Sequence, residues 1–233
     1  QPGTAQGLDS LSFRLMMQLQ YRNMGTHQSL WATHTVDEGG LAVARWYEVR
    51  DPAGTPTLFQ QGSLNPGDGI NRWMASIAAD RDGNAAIGYS VSNSSVYPGI
   101  RYAGRLNGEI PGQMPQSEQV LVNGTGSQTS IARWGDYSAM SVDPNDDCTF
   151  WYTQEYYLAN GSNWQTRIGS FKFPSCGLTK GTIAGKVVDS LTNAGIPNAP
   201  VSISGGALEA TITVQTNATG NYTAQVLPAT STV

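Results

Sequence analysis

The stretch that decides the fold occurs twice in the chain: residues 76–90 read SIAADRDGNAAIGYS, and residues 139–153 read AMSVDPNDDCTFWYT. Asp80 in the first copy aligns with Asp143 in the second, and a tyrosine follows each of them nine residues later. In both copies, short apolar runs flank an Asp-initiated turn, which Asp favours because its carboxylate bonds to backbone amides two residues on. The repeat therefore predicts two equivalent β-hairpins.

An Arg-Trp pair precedes each copy, as Arg72–Trp73 and as Arg133–Trp134. The two pairs are 61 residues apart, whereas the hairpins are 63 residues apart, so the second copy carries two extra residues, Gly135–Asp136. A weaker third copy, HTVDEGGLAVARWY, occupies residues 34–47. The chain is therefore predicted to consist largely of repeated β units.

Further short β-like runs follow these hairpins, at residues 57–61, 100–105, 119–122 and 165–173. The segment Leu11–Gln20 alternates apolar and polar residues and is also predicted to be a strand. Units of about 40–60 residues with three or four strands have the period of a β-propeller blade. We therefore predict an all-β fold with a partial β-propeller of about three blades over residues 1–178, because closing a propeller takes about four to eight. A β-sandwich whose hairpins are similar by chance is the alternative.

A different pattern begins after Pro174–Lys180 and contains the motifs GKVVD at 185–189, GIPNAPV at 195–201 and TGNYT at 219–223. This pattern resembles the carboxypeptidase-regulatory-like domain, a small transthyretin-like β-sandwich, over residues 181–229. Members of that family continue for further strands, which this sequence does not show. The resemblance implies a second, truncated β-sandwich domain at residues 179–233.

The repeated part resembles a group of secreted bacterial β-propellers with neuraminidase repeats, also described as sialidase-like. The resemblance is carried by RWMASIAADRDGNAAIGYS at residues 72–90 and RWGDYSAMSVDPNDDCTFWYT at residues 133–153. It implies a secreted protein, extracellular or at the cell surface, but it brings no established activity.

Composition excludes several classes of protein. Charged residues make up 13% of the chain and the net charge is −4, which disfavours a nucleic-acid-binding protein with a basic face. No apolar run approaches 18 residues, so no membrane span is predicted. Cys148 and Cys176 are the two cysteines, and we expect a disulfide between them, as in proteins of oxidising compartments, with two buried free thiols as the alternative.

Two arginines are the first candidates for ligand binding. Arg72 and Arg133 begin equivalent repeats, so in a propeller they would converge at one mouth of the central channel. Guanidinium groups placed there would suit a carboxylate or phosphate, as in the arginine cluster of sialidases. The alternative is structural, with each arginine paired to a carboxylate inside its own repeat.

The inserted residues beside Arg133 are the second candidate. Asp136 and the adjoining Tyr137 have no counterpart in the first copy, so repetition does not explain them. Trp164, within NGSNWQ, is a candidate for stacking on a sugar ring. We predict a ligand-binding set of Arg72, Arg133, Asp136, Tyr137 and Trp164.

The acidic turn of the second copy is the candidate metal site. Asp143, Asp146 and Asp147 resemble the oxygen-rich loops that bind Ca²⁺, although turn formation explains the same residues. No other cofactor is predicted, and His27 and His34 lack the spacing of a zinc site.

The function predicted from these features is an extracellular, non-catalytic module for binding, adhesion or assembly. Its expected partners are a glycan or an anionic ligand, together with other chains or missing blades that would complete open sheet edges. The alternative is a sialidase-like glycan hydrolase whose site is completed by blades absent from this chain. Such an enzyme would need a tyrosine nucleophile and carboxylates, for which Tyr137, Asp136, Glu155 and Glu48 are available.

Overall fold

The computed structural model describes residues 1–204 and 211–226, so the parts of the predicted second domain at 205–210 and 227–233 lie outside the described residues. The described residues form fifteen strands and no helix, which confirms the all-β prediction. Nothing in these two ranges forms a helix long and apolar enough to cross a membrane.

The first sheet is a four-stranded antiparallel meander in chain order. Its strands are β1 (Gln20–Asn23), β2 (Gln28–Glu38), β3 (Leu41–Arg50) and β4 (Thr57–Ser63). Asp37, the Asp of the weaker third copy, is the next-to-last residue of β2, and its carboxylate accepts the amide of Gly40 in the β2–β3 turn at 3.0 Å. This copy is therefore a true hairpin of the same kind.

The second sheet has the same topology, with strands β5 (Asn71–Ala79), β6 (Ala85–Asn93), β7 (Val96–Arg105) and β8 (Gln116–Val122). Asp80 is fully buried in the β5–β6 turn, where its carboxylate accepts the amides of Asp82 and Asn84, each at 2.9 Å. Burial raises the pKa of Asp80 to about 6. The first predicted hairpin is confirmed, with its Asp at the turn.

The third sheet contains β9 (Ala139–Val142), β10 (Phe150–Tyr156) and β11 (Gln165–Phe171), in the order β11–β10–β9. Asp143 lies in the β9–β10 turn, and its carboxylate accepts the Asn145 amide at 2.9 Å. The second predicted hairpin is therefore also confirmed. Tyr89 and Tyr152, the repeated tyrosines, are both buried packing residues.

The second sheet lies between the first and third sheets, and its strands β5 and β6 are buried on both faces. One face packs against the first sheet through Trp31, Trp46, Ile77, Ile87 and Tyr89. The other packs against the third sheet through Ala78, Ile100, Met140, Phe150 and Tyr152. Small residues permit this approach, since a Cβ on Gly88 would lie 2.4 Å from the Tyr152 ring. Meanders stacked in succession are typical of propeller blades, and the propeller itself stays a prediction.

The segment predicted to be a strand at Leu11–Gln20 is mostly irregular, because regular pairing begins only at Gln20 and Leu15 makes a single bridge to His34. Leu11 has φ +46°, and the Asp9 carboxylate accepts its amide, which turns the chain. Leu11 and Met16 are instead buried against Trp73 and Trp134. The alternating residues Phe13, Leu15, Met17 and Leu19 are exposed, so the prediction of a strand is wrong for most of this segment.

The described residues of the second predicted domain, 181–204 and 211–226, form two small antiparallel sheets. One pairs β12 (Gly181–Lys186) with β15 (Asn221–Val226), and the other pairs β13 (Pro200–Ile203) with β14 (Ile212–Gln215). Two of the motif glycines meet in space, since a Cβ on Gly220 would lie 2.7 Å from the Cα of Gly195. The motifs GIPNAPV and TGNYT therefore contact each other, while the β-sandwich assignment stays a prediction.

The predicted disulfide is confirmed, with the two Cα atoms of Cys148 and Cys176 5.7 Å apart. It joins the β9–β10 turn to the segment that leaves β11.

Candidate functional site

The loop that carries the inserted residues is anchored by a buried tryptophan. Trp134 donates from Nε1 to Ser90 Oγ at 2.9 Å and stacks on Tyr157 at 5.7 Å between ring centroids. Gln128 fixes the preceding backbone, because its Nε2 donates to the Arg133 carbonyl at 2.6 Å. With the backbone held on both sides, the Arg133 side chain projects outward and is 75% exposed.

A bulge in β5 orients the polar groups beneath this loop. The β5–β6 register shifts between Trp73 and Ser76, and Met74 has φ +52°, an uncommon conformation for a non-glycine residue. The Met74 carbonyl is thereby freed to accept Ser138 Oγ at 2.7 Å and Gln154 Nε2 at 3.2 Å. The bulge thus connects the second sheet to the loop and to β10.

A cavity of about 380 Å³ opens beside the loop and is called here the Arg133 pocket. Its lining residues are Gln128, Ile131, Arg133, Gly135, Asp136, Tyr137, Thr153, Gln154, Glu155, Trp164 and Thr166. Four of the five residues predicted to bind a ligand lie here together: Arg133, Asp136, Tyr137 and Trp164. The volume falls within the ~300–1,000 Å³ typical of small-molecule sites.

Arg133 and Asp136 form a pair on one wall of the pocket. Arg133 donates from Nε and Nη2 to Asp136 Oδ2 at 3.0 and 2.7 Å. The hydrogen bonds that Arg133 donates to Asp136, and the negative charge of Asp136, raise the pKa of Arg133. Nη1 makes no hydrogen bond to the described residues, so one donor remains for a ligand while the charge of the pair is largely balanced.

Glu155 lies in the floor of the pocket and is 9% exposed. Its Oε2 accepts the Gly135 amide at 2.8 Å, whereas Oε1 is buried without a hydrogen-bond partner in the described part of the chain. Burial, and then the negative charge of Asp136, raise the pKa of Glu155 to about 7. At neutral pH this carboxyl can therefore either donate or accept a hydrogen bond to a ligand.

Tyr137 and Trp164 give the rim an aromatic surface, with exposed fractions of 40% and 59%. The Tyr137 hydroxyl accepts Arg14 Nη1 at 2.7 Å, and Arg14 also lies over the Phe13 ring at 4.4 Å. The N-terminal segment thus adds a second guanidinium group next to the pocket.

Sequence reasoning did not place Glu155 or Arg14 in the ligand-binding set. Glu155 becomes a floor residue through its bond to Gly135, 20 residues earlier, and Arg14 reaches Tyr137 across 123 residues. The insertion at Gly135–Asp136 was the available signal, because it marked where the repeat is interrupted.

Arg72 does not join Arg133 at this pocket. It is buried at 1% exposure and donates to the carboxylates of Asp68 and Glu118. The two arginines therefore lie in different environments, although they hold corresponding positions in the repeat. The tryptophans that follow them, Trp73 and Trp134, are both buried in one cluster.

Each of the three carboxylates of the predicted calcium loop bonds to a different protein partner. Asp147 pairs with Arg22 at 2.7 and 2.9 Å, and Asp143 accepts Trp151 Nε1 at 3.0 Å. Backbone amides of the following turn lower the pKa of Asp146 to about 2. Across residues 1–204 and 211–226, no group of three or more His, Cys, Asp or Glu side chains is arranged to hold a metal ion. These contacts support the turn interpretation.

The raised pKa of Glu155 predicts how the stability of the protein depends on pH. The ordinary pKa of Glu is about 4.3, so between about pH 4 and 7 the folded state holds a proton that the unfolded state releases, and stability falls as pH rises. Glu155→Gln removes this loss, so we expect the variant to be more stable than the wild type by about 2–4 kcal/mol at about pH 8, with no difference near pH 4. Urea unfolding at the two pH values measures the change.

The matched control is Glu38→Gln, which removes a partly exposed carboxylate on β2 that lies 3.9 Å from Arg45. Its effect should be small and equal at both pH values, because exposed ion pairs contribute little. A Glu155→Gln variant whose stability tracks the wild type at every pH would show that Glu155 is ionised and solvated in the folded state.

Comparison with known proteins leaves the family of the chain open: no family model matches it, and no match is found among the curated proteins or the solved structures. The two family resemblances read from the sequence stay predictions.

Proposed function

We propose that the protein is a secreted, non-catalytic binding module and that the Arg133 pocket binds a glycan. The observation that carries the proposal is the pairing of exposed aromatic side chains, Trp164 and Tyr137, with an open pocket whose floor is polar. This combination suits a sugar, which presents an apolar C–H face and a set of hydroxyl groups at its edge.

The aromatic rim supplies the stacking surface. Trp164 leaves more than half of its surface in water, although an indole ring gains free energy by being covered. A sugar ring laid against Trp164 would cover it while its hydroxyls remain free to bond in the pocket. Tyr137 would support the neighbouring edge of the same ligand.

The floor and wall supply directed hydrogen bonds. Arg133 Nη1 and Glu155 Oε1 have no partner among the described residues, and both belong to side chains held in place by other bonds. Glu155 Oε1 is buried, and a buried polar atom without a hydrogen-bond partner costs free energy. A ligand hydroxyl that bonds to this oxygen would remove that cost. Because Asp136 balances Arg133, a neutral sugar fits this pocket better than a strongly anionic group.

The proposed extracellular location of the protein rests on the disulfide and on the resemblance to secreted bacterial propellers. Disulfides persist in oxidising environments and are rare in the cytosol. An extracellular site for a glycan agrees with this environment.

Trp164→Ala tests the proposal. A glycan array first identifies a ligand of the purified wild-type chain, and calorimetry then gives its Kd. We expect Trp164→Ala to raise the Kd about tenfold, because losing one aromatic stacking surface costs about 1–2 kcal/mol. Trp164→Phe should recover part of the affinity.

Trp151→Ala is the matched control, since Trp151 is 42% exposed on the same sheet but does not line the pocket. Its Kd should stay within about twofold of the wild type. Equal losses in both variants, or an array without any bound glycan, would contradict the proposal. Turnover of a fluorogenic sialoside that Glu155→Gln abolishes would instead favour the hydrolase alternative, for which the carboxyl with a pKa of about 7 is the supporting observation.

A further inference from the structure

A second cavity, of about 390 Å³, lies at the first sheet, away from the Arg133 pocket, and is called here the Arg50 pocket. The first sheet contributes β2, β3 and β4, while the other walls come from the β5–β6 turn, the loop after β7 and Thr213 on β14. The residues that carry the inference are Thr26, His27, Glu48, Arg50, Phe59 and Arg105. None of them lines the Arg133 pocket.

The pocket is built around a deeply buried carboxylate, that of Glu48, which is 2% exposed. Glu48 Oε1 accepts Ser29 Oγ and Arg50 Nε, each at 2.7 Å, and Oε2 accepts Gln60 Nε2 at 2.5 Å. Both oxygens are thus satisfied within the protein. Glu48 therefore serves to position Arg50 rather than to bind a ligand directly.

Arg50 is held in place with its binding edge free. Only its Nε is engaged, by Glu48, while Nη1 and Nη2 make no hydrogen bond to the described residues. The guanidinium lies 3.3 Å from the centroid of the Phe59 ring, which fixes its plane. A planar, oriented guanidinium with two free N–H groups matches a carboxylate by bidentate pairing.

Arg105 adds a second positive charge behind Arg50. It is 4% exposed, and all its hydrogen bonds go to neutral oxygens: Gln60 Oε1 at 2.6 Å and the carbonyls of Glu109, Ile110 and Gln113. The Glu109 carboxylate is already used by Gln116 and a backbone amide. The formal charges of these two arginines and two glutamates cancel. The carboxylate oxygens, however, are already bonded within the protein, whereas Nη1 and Nη2 of Arg50 are not, so the free groups near Arg50 are donors on a cation and suit an anionic group.

Polar groups also line the way to Arg50. His27 Nδ1 lies 3.1 Å from Thr26 Oγ1, so the imidazole and the hydroxyl face the pocket as a hydrogen-bonding pair. They offer donors and acceptors that suit hydroxyl groups. A cavity of this volume holds a ligand of monosaccharide size rather than a long chain.

We propose that the Arg50 pocket is a second binding site, which takes a small polyhydroxylated carboxylate such as a uronic acid. The ligand carboxylate pairs with Nη1 and Nη2 of Arg50, and its hydroxyls bond to Thr26 and His27. This site is independent of the glycan site proposed above.

Calorimetry of the full chain with glucuronate tests the site, with methyl glucoside as the neutral match. We expect glucuronate binding to depend on Arg50, and any binding of methyl glucoside, which would belong to the Arg133 pocket, to be independent of Arg50. Arg50→Gln should raise the Kd for glucuronate at least about tenfold, and Arg50→Lys, which keeps the charge but loses the fork, should raise it by an intermediate factor. The thermal midpoint of each variant establishes that it is folded.

Arg45→Gln is the matched control: Arg45 is on the same strand, bonds to Gln61 and Ser63 and does not line the pocket. Its Kd should stay within about twofold of the wild type. Glucuronate binding unchanged in both Arg50 variants, no binding to the wild type, or methyl glucoside binding that Arg50→Gln weakens as much as glucuronate binding would each overturn the proposal. Loss of glucuronate binding in Trp164→Ala with retention in Arg50→Gln would do so as well, since it would move the ligand to the Arg133 pocket.

Discussion

Arg72→Met is expected to lower the free energy of unfolding by about 3–5 kcal/mol, the cost of removing one partner from a buried ion pair. Arg72 donates to both Asp68 oxygens at 2.9 and 2.7 Å and to Glu118 Oε2 at 2.8 Å. Glu118 also accepts Arg101 and the Tyr89 hydroxyl, at 2.6 and 2.7 Å. Without Arg72, this network would lose its central cation, and the negative charge of Glu118 would be paired with Arg101 alone.

The acid side of the stability profile should change in the same variant. The hydrogen bond from Arg72 lowers the pKa of Asp68 to about 2. The wild type therefore gains stability above about pH 4 that it loses as pH falls towards 2, and Arg72→Met should lack this step. Urea unfolding at about pH 3 and about pH 7 measures both effects.

Arg133→Met is the matched control, because Arg133 holds the corresponding position in the second copy and also pairs with an Asp. Its side chain is 75% exposed, so the stability change should be small compared with that of Arg72→Met. If the two variants changed stability equally, the difference in burial between the arginines would not matter energetically. A folded Arg72→Met chain of unchanged stability would return Arg72 to the list of ligand-binding candidates.

The contrast between these arginines shows what the sequence could predict. Local signals sufficed for the hairpins, because an Asp turn between apolar runs specifies both the turn and the pairing of its flanking strands. The interruption of the repeat at Gly135–Asp136 marks the loop beside which the Arg133 pocket opens. Four predicted residues meet there in one pocket, although what they bind stays a proposal.

Long-range partners account for what could not be predicted. Arg72 is buried because Glu118, 46 residues away on β8, reaches it, and no spacing rule connects the two. The Arg50 pocket likewise depends on the packing of β2, β3 and β4 against the loop after β7. In Leu11–Gln20 the apolar alternation predicts a strand, but Leu11 and Met16 hold the segment against Trp73 and Trp134, and the alternating residues from Phe13 to Leu19 are exposed.

The second large effect concerns the disulfide. Replacing both cysteines by alanine, as Cys148→Ala with Cys176→Ala, should cost about 3–4 kcal/mol, since a cross-link spanning 28 residues restricts the unfolded chain by about that amount. For a chain of this size the loss corresponds to a fall in Tm of about 10 °C. Alanine is preferred to serine because both sulfur positions are buried, and a hydroxyl there would add a desolvation cost.

The effect should be concentrated at one edge of the third sheet. β11 is the outer strand in the order β11–β10–β9, and the bond to Cys148 fixes the chain shortly after that strand ends. Hydrogen exchange in β11 should therefore accelerate more than in β5 or β6, which lie in the buried central sheet. The wild type in reductant should match the double variant, and reductant should not change the double variant. Equal Tm values for the oxidised wild type and the double variant would mean that β11 is held by packing alone, chiefly through Phe171 against Phe150 and Tyr102.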